Sequence, residues 1–241
     1  MTISSRAHRN YVVLSINSFH PRLELGNHLY GDSVKYGSEP NYAFPKGETV
    51  MKVLGINGSP HRDGNTVKLI SEVFRGARTN GHDCEMVHLV DLDLDYCNWC
   101  EECYPEGVCL IDDGFRDHLK KIIEVDVLVV GTPSINRSVT GYMKNWLDRL
   151  CTSQLVYVVD ENRKVTMWSR IPEGKKSVVI VQGCTSLLQE TIEPINVVMN
   201  VLGIPITERL IVPQVGLTHE DTVDKKRDVM QKAYNIGKNI E

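Results

Sequence analysis

No apolar run in this sequence approaches the roughly 18 residues that a membrane-spanning helix needs, so a transmembrane protein is not expected. A basic excess is also missing. The 27 Lys and Arg stand against 31 Asp and Glu, for a formal charge of -4, which argues against a nucleic-acid-binding surface and for a small-molecule or protein substrate. The opening MTISSRAHRN lacks the continuous apolar segment of a secretory signal, and the expectation is a cytoplasmic protein whose thiols stay reduced. The eight histidines (His8, His20, His28, His61, His82, His88, His118 and His219) form no His-x-x-His or His-Glu-x-x-His arrangement. Neither the P-loop pattern nor Gly-x-Gly-x-x-Gly occurs, and no Ser–His–acid set or paired carboxylates support hydrolytic chemistry.

What the chain does have is cysteine in one place. Four of its seven cysteines are spaced Cys97-x2-Cys100-x2-Cys103-x5-Cys109. Successive two-residue gaps let one short loop present several thiolates while its N–H groups stay free to point at sulfur, as an iron–sulfur cluster requires. A structural zinc site and a set of disulfides or unligated thiols are the competing readings, although zinc sites usually join two Cys pairs across a longer segment. Cys84 and Cys151 read as small apolar packing residues, and Cys184 follows a strand that could bring it to a cofactor.

At 241 residues the chain can bury one substantial core without disulfide staples. Residues 1–50 carry Pro21, Pro40, Pro45, Gly26, Gly31, Gly37 and Gly47 between one candidate strand, Tyr11 to Ile16, and the aromatics Phe19, Tyr30, Tyr36, Tyr42 and Phe44. This reads as an arm packed on its own domain or on a neighbouring subunit. Residues 51–241 alternate strand and helix patterns. Met51–Asn57, Glu85–Val90, Val125–Val130, Ser177–Val181 and Ile206–Val212 read as strands, and Asn65–Thr79, Phe115–Ile123, Thr140–Leu150, Leu187–Leu202 and Asp221–Ile240 as helices, with the cysteine loop over 96–110. Such alternation specifies an α/β three-layer fold with right-handed crossovers.

The loop Asn57-Gly58-Ser59-Pro60-His61-Arg62-Asp63-Gly64-Asn65-Thr66 joins the first strand to its helix, where a phosphate would meet free helix N–H groups. Ser59, Asn65 and Thr66 offer hydrogen bonds and Arg62 a positive charge, with His61 a possible second cation. An ordinary turn with a helix cap is the competing reading. The second strand, next to the first, runs into the cysteine loop, so both sites belong at the carboxyl end of the sheet.

Leu54-Gly55-Ile56-Asn57-Gly58-Ser59-Pro60 with Gly64-Asn65-Thr66 resembles the phosphate loop of the NADPH-dependent FMN reductases. Gly131-Thr132-Pro133 and Gly141-Tyr142-Met143-Lys144-Asn145-Trp146-Leu147-Asp148-Arg149 resemble the segment beside the flavin ring. With the cysteine spacing, the resemblance is to the iron–sulfur flavoprotein branch. It implies a flavodoxin-like sandwich with a five-stranded parallel sheet in the order 2-1-3-4-5, an FMN, a [4Fe-4S] cluster and a homodimer or homotetramer. Carried over by residue, Ser59, Arg62, Asn65 and Thr66 would bind the FMN phosphate. Thr132, Pro133, Ser134 and Asn136 would border the ring, and Gly183 and Cys184 would lie near its far edge. Where the family commonly has an aromatic after its Thr-Pro-x step, this chain has Ile135.

The function implied is an iron–sulfur flavoenzyme taking electrons from reduced ferredoxin or NAD(P)H to a small acceptor. The competitors are an NAD(P)H-dependent quinone, nitro or azo reductase with a structural zinc, and a redox relay or sensor without a substrate. Asp148-Arg149 reads as a structural ion pair or subunit contact, and Gly141 as a close-packing or tight-turn glycine.

Overall fold

The computed structural model describes residues 50–218 and 220–241. The arm expected over residues 1–50, its strand, and His8, His20, His28 and His219 fall outside the described residues, except for Val50 itself.

The strands are β1 (Lys52–Asn57), β2 (Asp83–His88), β3 (Val127–Pro133), β4 (Leu155–Val159), β5 (Val165–Ser169), β6 (Lys176–Gly183) and β7 (Ile206–Pro213). The helices are α1 (Asn65–Arg78), α2 (Phe115–Glu124), α3 (Gly141–Gln154), α4 (Gln189–Val201) and α5 (Arg227–Lys238), with 3-10 turns at Leu89–Asp91 and Val223–Lys225. Five parallel strands form the main sheet in the order β2-β1-β3-β6-β7. Counted within the sheet alone, this is the expected 2-1-3-4-5.

Successive residues of a strand point to opposite faces, and the core divides accordingly. Leu54, Ile56, Leu128, Val130, Val179 and Val181 face one way, into a layer containing Phe115, Ile122, Trp146, Leu147, Leu150, Ile195 and Met199 of α2, α3 and α4. Val53, Val127, Val129, Val178 and Ile180 face the other way, against Leu69, Ile70, Val73, Ala233 and Ile236 of α1 and α5. Strands apolar on both faces are what a sheet covered by helices on both sides requires.

One element departs from the expected alternation. Between α3 and β6 the chain makes an antiparallel hairpin, β4–β5, that forms its own two-stranded sheet. Its tip, Asp160 to Lys164, contains neither Gly nor Pro, the residues that punctuate such a turn in a sequence. The turn is built instead by Asp160, whose Oδ1 accepts the N–H of Asn162 at 2.9 Å and of Lys164 at 2.8 Å, while Arg163 takes a left-handed φ of 63°.

Two smaller expectations also change. The terminal helix is interrupted, with a 3-10 turn before Lys226 and α5 after it. Gly141 serves neither close packing nor a strained turn: a Cβ there would meet nothing within 4 Å.

Candidate functional site

β1 ends where the sheet changes direction, beside β2 on one flank and β3 on the other, so the crevice beyond Asn57 is a topological switch point. Gly58 N–H donates to the Gly131 carbonyl at 2.8 Å, and a Cβ on Gly58 would come within 2.7 Å of Met143 Cε. That Cβ would also stand 3.0 Å from Met143 Cβ and 3.2 Å from the Gly131 carbonyl, so the missing side chain eases the close approach to α3. The fully buried Asn57 shapes the loop from beneath. Its Oδ1 accepts the Ser59 N–H at 3.0 Å, its Nδ2 donates to the carbonyls of Ser59 and His61 at 3.2 Å, and His88 Nδ1 lies 2.9 Å away. Ser59 Oγ in turn accepts the His61 N–H at 3.1 Å. At Gly64, the N-cap of α1, no side chain caps the helix and no acid occupies its first turn. The free N–H groups and the helix dipole therefore favour an anion.

Above this terminus lies a cavity of about 770 Å³ whose walls include Ser59, Asn65, Lys68, Ser134, Gly183 and Cys184. Of the expected phosphate residues, Ser59 and Asn65 line it. Asn65 also ties down the far wall, its Oδ1 accepting the Val223 N–H at 2.9 Å and its Nδ2 donating to the Asp221 carbonyl at 3.4 Å. Thr66 and Thr132 are completely buried. Thr66 Oγ1 accepts from Gln182 Nε2 at 3.3 Å, which places it beneath the site. Arg62, expected at the phosphate, does not line the cavity; its Nε donates to Asp91 Oδ1 at 2.8 Å. Lys68 is the cation that does line it, with Nζ 2.6 Å from Asp224 Oδ1. Sequence reading missed Lys68 because it lies two residues beyond the loop motif, inside the first turn and a half of α1.

The segment after β3 carries the next group of residues. Pro133 and Ser134 line the same cavity, and Ser134 is fixed by its N–H to the Gln182 carbonyl and its Oγ to Thr191 Oγ1, both 2.7 Å. A Cβ on Gly183 would lie 3.0 Å from Leu188 and 3.1 Å from Ser134 Cβ, a tight neighbourhood that keeps this wall close. Ile135 and Ser138 bridge a turn in which Asn136 and Arg137 both have positive φ, 50° and 61°. Ile135 is half exposed and, with Pro60, borders a second cavity of about 560 Å³. The aromatic residues of that second cavity come from elsewhere, Tyr142 at the start of α3 and Tyr96 immediately before Cys97.

The cysteine loop leaves the 3-10 turn after β2 and returns to α2. Trp99 and Glu101 adopt left-handed φ of 56° and 65°, and Gly107 of 74°. Cys103 is buried, Cys97 and Cys109 are half-buried and Cys100 is exposed. Burial, followed by the nearby charges of Cys109, Cys100 and Cys97, pushes the Cys103 thiol above its ordinary range. The other three cysteines thus lie within electrostatic reach of Cys103. Among the described residues, however, no three His, Cys, Asp or Glu side chains stand close enough together to hold a metal ion. By chemistry the donor set, four thiols on one loop, fits an iron–sulfur cluster.

Side chains remote in sequence hold this loop. Asn145 Nδ2 donates to the carbonyls of Leu94 and Asp95 at 3.1 and 3.2 Å, Gln154 Nε2 to that of Gly107 at 2.8 Å, and Arg170 Nη2 to that of Tyr104 at 2.6 Å. Arg149 pairs with Asp113, while Asp148 pairs with Lys144, so the adjacent Asp148 and Arg149 do not form a pair. Of these supports only Arg149 is singled out in the sequence, as part of an ion pair or subunit contact; its true targets, and the roles of Asn145, Gln154 and Arg170, carry no local signature, although Asn145 and Arg149 lie four apart on one helical face. A further cavity of about 910 Å³ lies between this loop, α3, β4 and α4. Its apolar walls carry three acids, Asp148, Glu190 and Glu193, which disfavour a phosphate there.

An open parallel sheet in flavodoxin-like order, with an uncapped helix and a cavity at its switch point, places this chain in the flavodoxin-like class of α/β proteins. The family model for NADPH-dependent FMN reductase matches residues 51–182, and the chain belongs to that family. It is 38% identical over 99 residues to an iron-sulfur flavoprotein of Archaeoglobus fulgidus, covering 41% of this chain and 48% of the relative. Against an iron-sulfur flavoprotein of Methanocaldococcus jannaschii the figures are 37% over 99 residues, 41% and 51%. The chain thus spans about half the length of the curated relatives it matches. Among solved structures, an NAD(P)H:quinone oxidoreductase from Methanothermobacter marburgensis superposes with a TM-score of 0.61 at 18% identity, over 80% of this chain and 100% of that one. That likeness concerns the fold.

Proposed function

We propose that this chain is an iron–sulfur flavoenzyme, an FMN-dependent oxidoreductase whose four cysteines carry a [4Fe-4S] cluster. The observation that carries the reading is adjacency. The cavity over the uncapped α1 terminus and the cavity walled by Tyr96 share Pro60 and Ile135, and Tyr96 is the residue before Cys97. A flavin with its phosphate at α1 and its ring toward Ile135 would end next to the cysteine loop. FMN supplies the interchange between two-electron and one-electron transfer that a hydride donor and an iron–sulfur centre need.

The chain's own residues provide binding and orientation. The N–H groups of α1, Ser59 and Lys68 hold the phosphate, Asn65 keeps the wall around Asp221 closed over it, and Ser134 and Gly183 fix the ring's border. Pro133 completes that border and Cys184 lies at its far edge, the buried Thr66 and Thr132 support it from below, and Asn136 acts through the turn that presents Ile135. Electrons come from reduced ferredoxin or NAD(P)H and leave to a small acceptor. A cytoplasmic homodimer or homotetramer belongs to the same reading. The half-exposed Val158, Val159, Val165, Met167 and Trp168 of the hairpin support association, and among the described residues no helix is long and apolar enough to cross a membrane.

Anaerobic purification with metal, sulfide and flavin quantification tests this. The expected result is about four iron, four sulfide and one FMN per chain. Zinc at similar occupancy with little sulfide would establish the structural-zinc reductase instead. Serine in place of Cys97, Cys100, Cys103 or Cys109 should each remove the iron, whereas Cys84→Ser and Cys151→Ser should leave it.

A further inference from the structure

Arg149 is the largest fully buried charged side chain in the described structure, and its contacts are unusual for a structural ion pair. Its guanidinium engages both ends of the cysteine loop at once. Nη1 donates to the Asp95 carbonyl at 3.1 Å, two residues before Cys97, and Nη2 donates to the Sγ of Cys109 at 3.2 Å. Asp113, beyond the last cysteine, pairs with it through both oxygens, with Nη2 to Oδ1 at 3.0 Å. The same carboxylate accepts the N–H of Asp95 and of Phe115 at 3.0 Å each, and the Phe115 ring packs 4.5 Å from the guanidinium carbon. A buried charge is costly unless paired and hydrogen-bonded. Here one N–H bond goes to a sulfur, although a well-packed apolar residue could close a loop at lower cost.

We propose that Arg149 is the positioning residue of the cysteine loop: its fork clamps the two ends together and its N–H···S bond to Cys109 sets the retention and the reduction potential of the group held by the four thiolates. The part concerning potential rests on the iron–sulfur reading above. Outer hydrogen bonds orient a ligand and tune the metal, and their removal typically costs about 10- to 100-fold in metal affinity. N–H donation to sulfur and a nearby cation both favour the more negative, reduced form. Weakening either therefore lowers the potential. Lysine retains the charge but cannot reach Asp95, Cys109 and Asp113 together, because it lacks the planar fork. Arg170 is the natural comparison: it is also a cation on this loop, but it donates to the carbonyls of Tyr104, Pro105 and Ser153.

The experiment compares full-length wild type, Arg149→Lys and Arg170→Lys after anaerobic iron and sulfide reconstitution. FMN content and near-ultraviolet circular dichroism report folding. Iron loss to a chelator, the reduction midpoint from a redox titration, and hydrogen exchange over residues 95–113 report the loop. Arg149→Lys should keep FMN, hold iron about 10- to 100-fold less tightly, exchange faster over 95–113 and show a lower midpoint. Arg170→Lys should exchange faster around Tyr104 with an unchanged midpoint. If Arg149→Lys fails to fold, the charge-free pair Arg149→Gln with Asp113→Asn takes its place with the same expectations. Wild-type iron retention and midpoint in the Arg149 variant would overturn the proposal. Should wild type hold no iron or sulfide, the iron–sulfur reading falls. The clamp is then read from exchange alone: unchanged protection over 95–113 in the variant overturns it, and faster exchange sustains it.

Discussion

The phosphate loop and the cysteine loop follow neighbouring strands at the same end of one sheet, yet they are held in different ways. The phosphate loop is a product of regular elements. Its geometry comes from the end of β1, the free start of α1, backbone bonds such as Gly58 to Gly131 and short-range bonds of the loop's own Asn57 and Ser59. The cysteine loop is irregular, with left-handed residues, and is held by side chains delivered from α3 and from the end of β5. A motif that depends on backbone and on bonds between near neighbours can be carried in a dozen contiguous residues. A loop supported by Asn145, Arg149, Gln154 and Arg170 depends on the whole α3–hairpin segment that follows.

The largest break in this comparison should come from the layer beneath the phosphate loop, where α1 and α5 touch backbone to backbone. A Cβ on Gly237 would come within 1.8 Å of the Val73 carbonyl, and one on Gly76 within 2.0 Å of the Tyr234 carbonyl. No side-chain rotation relieves such a contact. Gly237→Ala or Gly76→Ala should each cost about 3 kcal/mol or more, the upper end for overpacking, measured by urea unfolding. Gly141→Ala, with open space around it, is the control and should be near neutral. Similar losses at all three positions would refute the packing argument.

The layer beneath the cysteine loop should instead reveal itself through pH. His118 on α2 is buried and accepts a hydrogen bond from Trp146 Nε1 at 2.8 Å, and its Nδ1 has no partner. Burial, with the charge of Lys121 adding to it, pushes the imidazole down to about 4. The unfolded value is about 6.5. Because the folded value is depressed, the stability is present above about pH 6.5 and is lost as pH falls toward 4, when the unfolded chain takes up the proton first. The total is about 3 kcal/mol. Urea midpoints measured between pH 7.5 and 4.5 should fall in wild type and flatten in His118→Gln. Identical slopes in both would remove His118 as the cause.

A third, smaller effect separates the two cations near the phosphate. Lys68 lines the cavity and Arg62 engages Asp91 outside it. Lys68→Ala should weaken FMN binding about tenfold, the lower end for a charged hydrogen bond, while Arg62→Ala should change it less. Flavin titration of apoprotein ranks them; the reverse order would restore Arg62 to the phosphate.

These differences explain what the sequence made legible. The sheet order followed from strands apolar on both faces with helices between them, and the four cysteines announced themselves by spacing. Asn57, Gly58 and Ser59 were readable because the bonds that shape this turn run between neighbours in sequence. Arg149 was read as an ordinary ion pair because Asp113, its partner, is far away in sequence and its sulfur contact has no local signature. The hairpin was invisible for a related reason: Asp160 builds its turn through side-chain hydrogen bonds, and Arg163 occupies the left-handed position that glycine usually marks. Lys68 escaped because the helix brings it to the cavity only through its fold.

The smallest predicted effect tests whether the hairpin belongs to the cysteine loop's support. Arg163 at φ 63° pays a left-handed penalty of about 1 to 2 kcal/mol for an L residue, and glycine would remove it at an entropic cost of about 0.5 to 1 kcal/mol. Arg163→Gly should therefore stabilise the hairpin by roughly 0.5 kcal/mol. β5 leads directly to Arg170, whose N–H groups hold Tyr104 and Pro105, so a firmer hairpin should slow hydrogen exchange at residues 103–107 as well as at 155–169. Residues 57–66 share none of these bonds and should exchange at the wild-type rate. Slower exchange confined to the hairpin itself would show that it does not brace the cysteine loop, and equal slowing at the phosphate loop would mean that the two supports are not independent.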